Sequence, residues 1–177
     1  MSKTLFYAGI GSRQTPPDVL QMMCSIGEQL ALNWVVRSGF ADGADKAFCL
    51  GAEQADGQMQ IFLPWKGFNG APDNDPRFLL IEPSEEATHI AAHFHPNWNA
   101  CSRGAKALHI RNCYQVLGPN LDTPSEMVIC WTPKGAGTGG TGQAIRIANE
   151  FKIPVFDLAI EHHRSLLCEY VEFIHNR

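Results

Sequence analysis

The chain has 177 residues, of which 45% are hydrophobic and 18% are charged, and its formal net charge is −4. These values predict one globular domain over residues 1–177 and exclude a disordered chain, and the lack of an apolar run near ~20 residues excludes a membrane span. The negative charge favours a small anionic ligand, with nucleic acid a possible but less favoured partner, and we expect the protein in the cytoplasm.

Strands and helices are predicted to alternate along the chain, from apolar runs, helical spacing and turn residues. The strands are expected at 3–10, 34–38, 58–64, 78–81, 126–131 and 153–158. The helices are expected at 15–33, 43–56, 83–95, 99–117, 141–151 and 160–175. Residues 65–97 begin with loop composition, and we interpret them as an insertion that covers the ligand face or forms a subunit contact. This order predicts an α/β fold, a single Rossmann-like domain with a parallel sheet and helices on both faces.

Three glycine-containing turns follow predicted strands, at 9–13, 37–45 and 134–142. Glycine lets backbone N–H groups approach an anion closely, and a helix that begins just after the turn adds its positive N-terminal end. Parallel strands end at the same edge of a sheet, where open α/β sheets bind their ligands. The sequence therefore predicts a phosphate-binding site at that edge, with a nucleotide as the leading ligand.

Four motifs carry a resemblance to a known superfamily. In chain order they are Gly9-Ile10-Gly11-Ser12-Arg13, the stretch 37–45, Leu108-His109-Ile110-Arg111-Asn112, and Gly139-Gly140-Thr141 followed by Ile153-Pro154-Val155-Phe156. In these motifs the chain resembles the SLOG superfamily of Rossmann-like proteins, which includes the DNA-processing DprA/Smf proteins and the LOG phosphoribohydrolases. It looks most similar to small phage and bacterial members. The resemblance implies nucleotide binding and assembly into a dimer or larger ring, and it supplies no reaction.

The chain departs from both named branches. LOG hydrolases carry Gly-Gly-x-Gly-Thr-x-x-Glu, and here Gln143 replaces the Thr and Arg146 replaces the Glu. A cation at that position cannot stabilise a cationic sugar, which argues against LOG-type hydrolysis. The DprA branch is matched at 38–45 but not in basic charge or accessory domains. We therefore rank a nucleotide sensor or sequestering protein first, an N-glycosidic hydrolase or transferase acting on nucleoside monophosphates second, and a DprA-like single-stranded-DNA binder third. Whether the protein is an enzyme stays open.

The predicted ligand site draws on all the motifs. Its members are Gly11, Ser12, Arg13, Ser38, Gly39, Gly43, Asp45, Arg111, Asn112, Trp131, Gly139, Gly140 and Thr141. Asp45 could accept a ribose hydroxyl or cap its own loop, and Trp131 could stack on a base or belong to the core. Arg111 could hold phosphate or form a surface ion pair with Glu126 or Asp122.

No metal, cofactor or catalytic residue is predicted. His89 and His93 are four residues apart on a predicted helix and His95 is near, but no acidic or cysteine partner has a familiar spacing. The six cysteines form no C-x-x-C pair and are expected to be free thiols. Aromatic residues around the insertion could form a lid or a dimer seam.

Overall fold

Six short strands form one sheet in the computed structural model, which describes residues 4–175. The strands are β1 Leu5–Gly9, β2 Trp34–Ser38, β3 Met59–Leu63, β4 Phe78–Leu80, β5 Met127–Cys130 and β6 Val155–Asp157. They pair in the order β4-β3-β2-β1-β5-β6, and all five pairings are parallel. This arrangement confirms the predicted α/β fold.

Six helices cover both faces of the sheet. They are α1 Pro17–Leu30, α2 Ala44–Gln54, α3 Glu85–His93, α4 Arg103–Leu117, α5 Gly139–Glu150 and α6 Glu161–His175. Helix α4 begins at 103 and not at 99 because the Ser102 side chain accepts a hydrogen bond from the backbone N–H of Ala105, which caps the helix there. Within residues 4–175, no helix is both long and apolar enough to cross a membrane.

The core has two layers, one on each side of the sheet. Neighbouring residues of β1 point to opposite layers, with Tyr7 in the layer of α1, α2 and α6 and Ala8 in the layer of α3, α4 and α5. Phe48 of α2 fills the first layer and Phe62 of β3 the second, both almost fully buried. The sheet is therefore buried on both faces, as parallel sheets require.

The segment 65–97, which we interpreted as an insertion, contributes to the domain itself. It supplies the edge strand β4, which pairs with β3, and helix α3, which packs against α4. Its first half is a loop in which the Asn69 side chain donates a hydrogen bond to the carbonyl of Phe40, in the turn after β2. The segment thus extends the sheet at one end and reaches the ligand edge at the other.

The sheet changes its winding direction between β1 and β5. The chain builds outward from β1 to β4 and then returns through α3 and α4 to place β5 on the other side of β1. The turns after these strands touch, since the backbone N–H of Ser12 donates to the carbonyl of Trp131. In open α/β sheets, such a switch point is where ligands bind.

Candidate functional site

A cleft of about 440 Å³ lies at the switch point, between the turns after β1, β2 and β5 and the side of α4. This volume lies in the range of small-molecule pockets. The cleft brings together nine of the thirteen predicted site residues, namely Gly11, Ser12, Arg13, Asp45, Arg111, Asn112, Gly139, Gly140 and Thr141. The convergence of the three glycine turns that the sequence analysis expected is present in the structure.

The other four predicted residues lie behind the cleft wall. Ser38 is fully buried and its hydroxyl donates to the carbonyl of Gly9, which joins β2 to β1. Gly43 has a φ of 92°, and a Cβ there would lie 2.9 Å from the carbonyl oxygen of Ser12. Trp131 packs against the core, the alternative to base stacking. We therefore assign these residues, with Gly39, to the support of the site and not to its lining.

Gly39 supports the site by making room for Arg111. A Cβ on Gly39 would lie 1.0 Å from Nη1 of Arg111 and 2.8 Å from Nε2 of Gln115. A side chain at this position would displace the guanidinium. The sequence analysis assigned Gly39 to backbone contact with an anion, whereas its main consequence in the structure is the position of Arg111.

Arg111 forms a buried ion pair with Asp45. Nη1 of Arg111 is 3.3 Å from Oδ2 of Asp45, and the two side chains are only 6% and 4% exposed. Asp45 also accepts a hydrogen bond from the backbone N–H of Ala41. The ion-pair partner of Arg111 is thus Asp45, in place of the surface partners Glu126 or Asp122 that the sequence left open.

Burial dominates the ionisation of this pair. It raises the pKa of Asp45 above its ordinary value, and the Arg111 guanidinium and the N–H of Ala41 offset part of that rise. Burial likewise lowers the pKa of Arg111, and Asp45 opposes the shift. Asp45 therefore holds the N–H of Ala41 in its loop and pairs with Arg111, and it also lines the cleft.

Two buried donors in residues that line the cleft are unpaired. Within residues 4–175, Nε of Arg111 and Nε2 of Gln115 have no hydrogen-bond partner. A buried donor without a partner costs about 1–3 kcal/mol, and more when the group is charged. Both residues line the same cleft, but the two donor atoms themselves lie beneath its surface, so an acceptor reaches them only if the wall moves. Gln115 was not among the predicted residues.

The start of α5 forms the opposite wall of the cleft. Gly139 has a φ of 68°, and a Cβ on Gly140 would have its nearest neighbour, Cε1 of His109, at 4.0 Å. The amide of Asn112 donates to the carbonyl of Gly140 and to Oε1 of Gln143, at 3.2 and 3.1 Å. Asn112 thus ties α4 to the start of α5.

The loop before α5 is fixed by a pair that the sequence did not reveal. Thr132 is fully buried, and its backbone N–H and hydroxyl both bond to the carboxylate of Asp157 at the end of β6. The hydroxyl of Thr132 also accepts the backbone N–H of Gly137 at 3.0 Å. These bonds hold the glycine-rich loop against the end of the sheet and so fix the position of the α5 N-terminus.

The positions that distinguish LOG hydrolases have structural partners here. Gln143 is fully buried, and its Nε2 donates to the carbonyl of Ala91. Nε of Arg146 donates to the carbonyl of Phe94 at 2.8 Å. Neither residue supplies a carboxylate to the cleft, as the sequence comparison indicated.

A group of metal-ligating side chains lies beside α5. His95 does not join His89 or His93, and instead the ligating atoms of His95, Cys101 and His109 lie within 4.8 Å of one another. Burial lowers the pKa of His109, with the positive charges of nearby residues acting in the same direction. The sequence analysis missed this group because its spacing, His-x5-Cys-x7-His, matches no familiar metal motif.

No profile of a known protein family matches the chain, and no curated protein matches it. Several solved structures match the chain in fold. The molybdenum cofactor carrier protein of Chlamydomonas reinhardtii is 16% identical with a TM-score of 0.55, covering 97% of this chain and 86% of that chain. A second structure of that carrier protein is also 16% identical, with a TM-score of 0.56 and coverage of 95% and 85%.

A DNA-binding protein shares the fold as well. DNA processing protein A from Helicobacter pylori, which binds single-stranded DNA, is 15% identical with a TM-score of 0.52, covering 97% of this chain and 79% of that chain. At such identities the likeness shows the fold alone. It confirms the Rossmann-like α/β fold that the sequence predicted.

Proposed function

We propose that the protein binds a nucleotide or a nucleotide-derived molecule in the switch-point cleft and acts as a sensor or a sequestering protein. The observation that carries this proposal is the convergence of the glycine turns, Arg13 and the start of α5 around one cleft. An anionic ligand with several acceptor oxygens suits this set of donors.

The charge of the cleft supports a phosphate group. Arg13 lies exposed and lines the cleft, and Arg111 is buried and paired with Asp45. The first turn of α5 adds the positive end of a twelve-residue helix. An anion that sits between Arg13 and the start of α5 meets attraction from both sides.

Binding without chemistry fits the cleft better than glycoside hydrolysis. Arg146 stands where a LOG-like Glu would be, and Asp45 is engaged by Arg111. Glu150 lies eleven residues after the start of α5, about 16 Å along the helix, and so cannot substitute. The shared fold with a cofactor carrier supports small-molecule carriage. Incubation with nucleoside monophosphates is therefore expected to release no free base. Base-releasing activity that co-purifies with the protein would instead favour the hydrolase over the binding protein.

The test is calorimetric titration with nucleoside mono-, di- and triphosphates, after native mass spectrometry of the purified protein to detect a retained ligand and the oligomeric state. Gly140→Asp is expected to weaken binding at least tenfold, ~1.4 kcal/mol, by placing a carboxylate beside the phosphate. The fold should persist, because a Cβ fits at Gly140 and an acidic residue suits a helix N-terminus.

Gly104→Ala is the matched control. Gly104 lies in the first turn of the neighbouring helix α4, and a Cβ there meets no atom within 4 Å. Identical titrations for wild type and Gly140→Asp would remove the α5 loop from the site. Tight binding of a labelled single-stranded oligonucleotide, with no response to mononucleotides, would favour the DprA-like alternative.

A further inference from the structure

We propose that His95, Cys101 and His109 form a zinc site at the wall of the cleft. His95 and Cys101 come from the loop between α3 and α4, and His109 from the second turn of α4. Sγ of Cys101 lies 3.6 Å from Nε2 of His95, and the two imidazole rings have their centroids 4.3 Å apart. His95 and Cys101 are partly exposed, so an ion can reach the group from their side, whereas His109 is its most buried member.

The separation of Cys101 from His95 matches a tetrahedral zinc ion, and all three ligating atoms lie within 4.8 Å of one another. With a Zn–S bond of about 2.3 Å and Zn–N bonds of about 2.0–2.1 Å, tetrahedral angles place sulfur and nitrogen about 3.5 Å apart. The separation of Cys101 Sγ from His95 is already close to that value. Two imidazoles and a thiolate suit zinc, whereas magnesium and calcium prefer oxygen ligands.

A second shell prepares His109 as a ligand. The amide of Gln143 is oriented by its Nε2, which donates to the carbonyl of Ala91. Its Oε1 therefore faces Nδ1 of His109, at 3.1 Å, and also accepts a hydrogen bond from Asn112. This assigns the proton of His109 to Nδ1 and leaves the lone pair on Nε2. Metal-bound histidines are oriented in the same way, by a bond from their second ring nitrogen.

His95 is the ligand that has to adjust. Its Nδ1 accepts the backbone N–H of Asn97 at 3.1 Å. Its two ring nitrogens, Nδ1 and Nε2, lie 3.7 and 3.6 Å from Sγ of Cys101. A turn of the ring suffices to direct either nitrogen at an ion held by Cys101 and His109. Because the loop 94–102 carries both His95 and Cys101, this adjustment stays local.

Three protein ligands leave the fourth position of a tetrahedral ion open. His109 lines the cleft, and its Cε1 is 4.0 Å from the position of a Cβ on Gly140. An ion on His109 therefore lies next to the α5 loop, where water or an oxygen of a bound anion can complete its coordination. Zinc binding itself does not depend on the proposed nucleotide site, so either proposal can fail alone.

Cobalt substitution tests the site directly. Protein stripped with a chelator and kept reduced is titrated with Co²⁺ alone, and one equivalent per chain is expected to give a thiolate-to-cobalt charge-transfer band and tetrahedral d–d bands. Zn²⁺ should then displace the cobalt. Cys101→Ser should abolish the charge-transfer band, and His95→Gln and His109→Gln should weaken Co²⁺ binding at least tenfold. Cys168→Ser and His89→Gln, which change exposed residues outside the cluster, are the matched controls.

Two further measurements keep the proposal testable if a variant fails to fold. In wild type, Zn²⁺ should protect Cys101 from alkylation and leave Cys168 reactive, as mapped by mass spectrometry. Gln143→Leu should weaken Zn²⁺ binding about 10–100-fold while the charge-transfer band persists with saturating Co²⁺, since Gln143 positions His109 without touching the ion. Octahedral cobalt spectra, or a rate of Cys101 alkylation that Zn²⁺ does not change, would overturn the site and leave only a thiol–imidazole contact.

Discussion

Replacing Arg111 by alanine is expected to weaken both the fold and the site, because one guanidinium serves Asp45 and the cleft. Arg111→Ala leaves the carboxylate of Asp45 buried with only backbone N–H groups, chiefly that of Ala41, to stabilise its charge. Removing one partner of a buried ion pair costs about 3–5 kcal/mol. Since the Ala41 bond remains, we expect about 3 kcal/mol, which for a domain of this length lowers Tm by roughly 6–12 °C.

The loss should depend on pH, since the carboxyl of Asp45 can bind a proton. Burial raises its pKa and Arg111 opposes the rise, so in Arg111→Ala the folded-state pKa lies higher still. A group whose folded-state pKa is raised stabilises the fold when it is protonated. This stabilisation is complete below the unfolded-state pKa, about 4 for Asp, and is lost as pH rises through the folded-state pKa. The difference in stability between wild type and Arg111→Ala should therefore be smallest in acid, and it should widen as pH rises from the folded pKa of Asp45 in wild type, which lies above the unfolded value, to the higher folded pKa in the variant.

Urea unfolding across this pH range measures the effect. Arg77→Ala is the matched control, because Arg77 pairs with Asp75 at the surface and its loss should cost about 1 kcal/mol or less. The double variant Asp45→Asn with Arg111→Met should recover much of the stability but not nucleotide binding, and Arg111→Lys should bind only partly because it loses the planar fork. A loss in Arg111→Ala as small as that in Arg77→Ala, or one that does not change with pH, would refute the buried pair as we describe it.

Two other substitutions test the supports of the cleft. Gly39→Ala should lower nucleotide affinity about as much as Arg111→Ala, since its Cβ would overlap the guanidinium, while Gly104→Ala changes nothing in the same titration. Thr132→Val should destabilise the protein by about 1–3 kcal/mol, because it leaves a buried carboxylate oxygen of Asp157 unpaired. Thermal melts should show that loss, and unchanged melting would mean that the Thr132 bonds do not hold the loop.

The fold was predictable because its signals are local. Apolar runs such as 34–38 and 127–130 mark strands wherever they lie, and glycine after a strand marks a turn at the ligand edge. Boundaries were less accurate where a cap decides them, as at Ser102. In the segment 65–97 the strand expected at 78–81 and the helix expected at 83–95 are present as β4 and α3, whereas the pairing of β4 at the edge of the sheet has no signal in the sequence.

The site was predictable only as far as the backbone determines it. The turns had to meet, since parallel strands end at one edge, and nine predicted residues do line the cleft. Which side chains pair within it depends on packing. Asp45 and Arg111 are 66 residues apart, and Gly39 matters through the space it leaves for Arg111. Neither relation has a sequence spacing that could be recognised.

Helix α4 carries residues of the cleft, of the ion pair with Asp45 and of the proposed metal site. This follows from its place in the chain. It leads from the β4 side of the sheet to β5 and so has to cross the switch point, with the cleft along its side. Arg111 and Gln115 are four residues apart, so their unpaired donors lie on one side of the helix. His109 and Asn112 are three residues apart, and both contact Gln143 of α5. Any ligand in the cleft therefore touches the same helix that anchors the α5 loop and the proposed metal. Both proposed sites are therefore concentrated on one helix, with the glycine turns arranged around it.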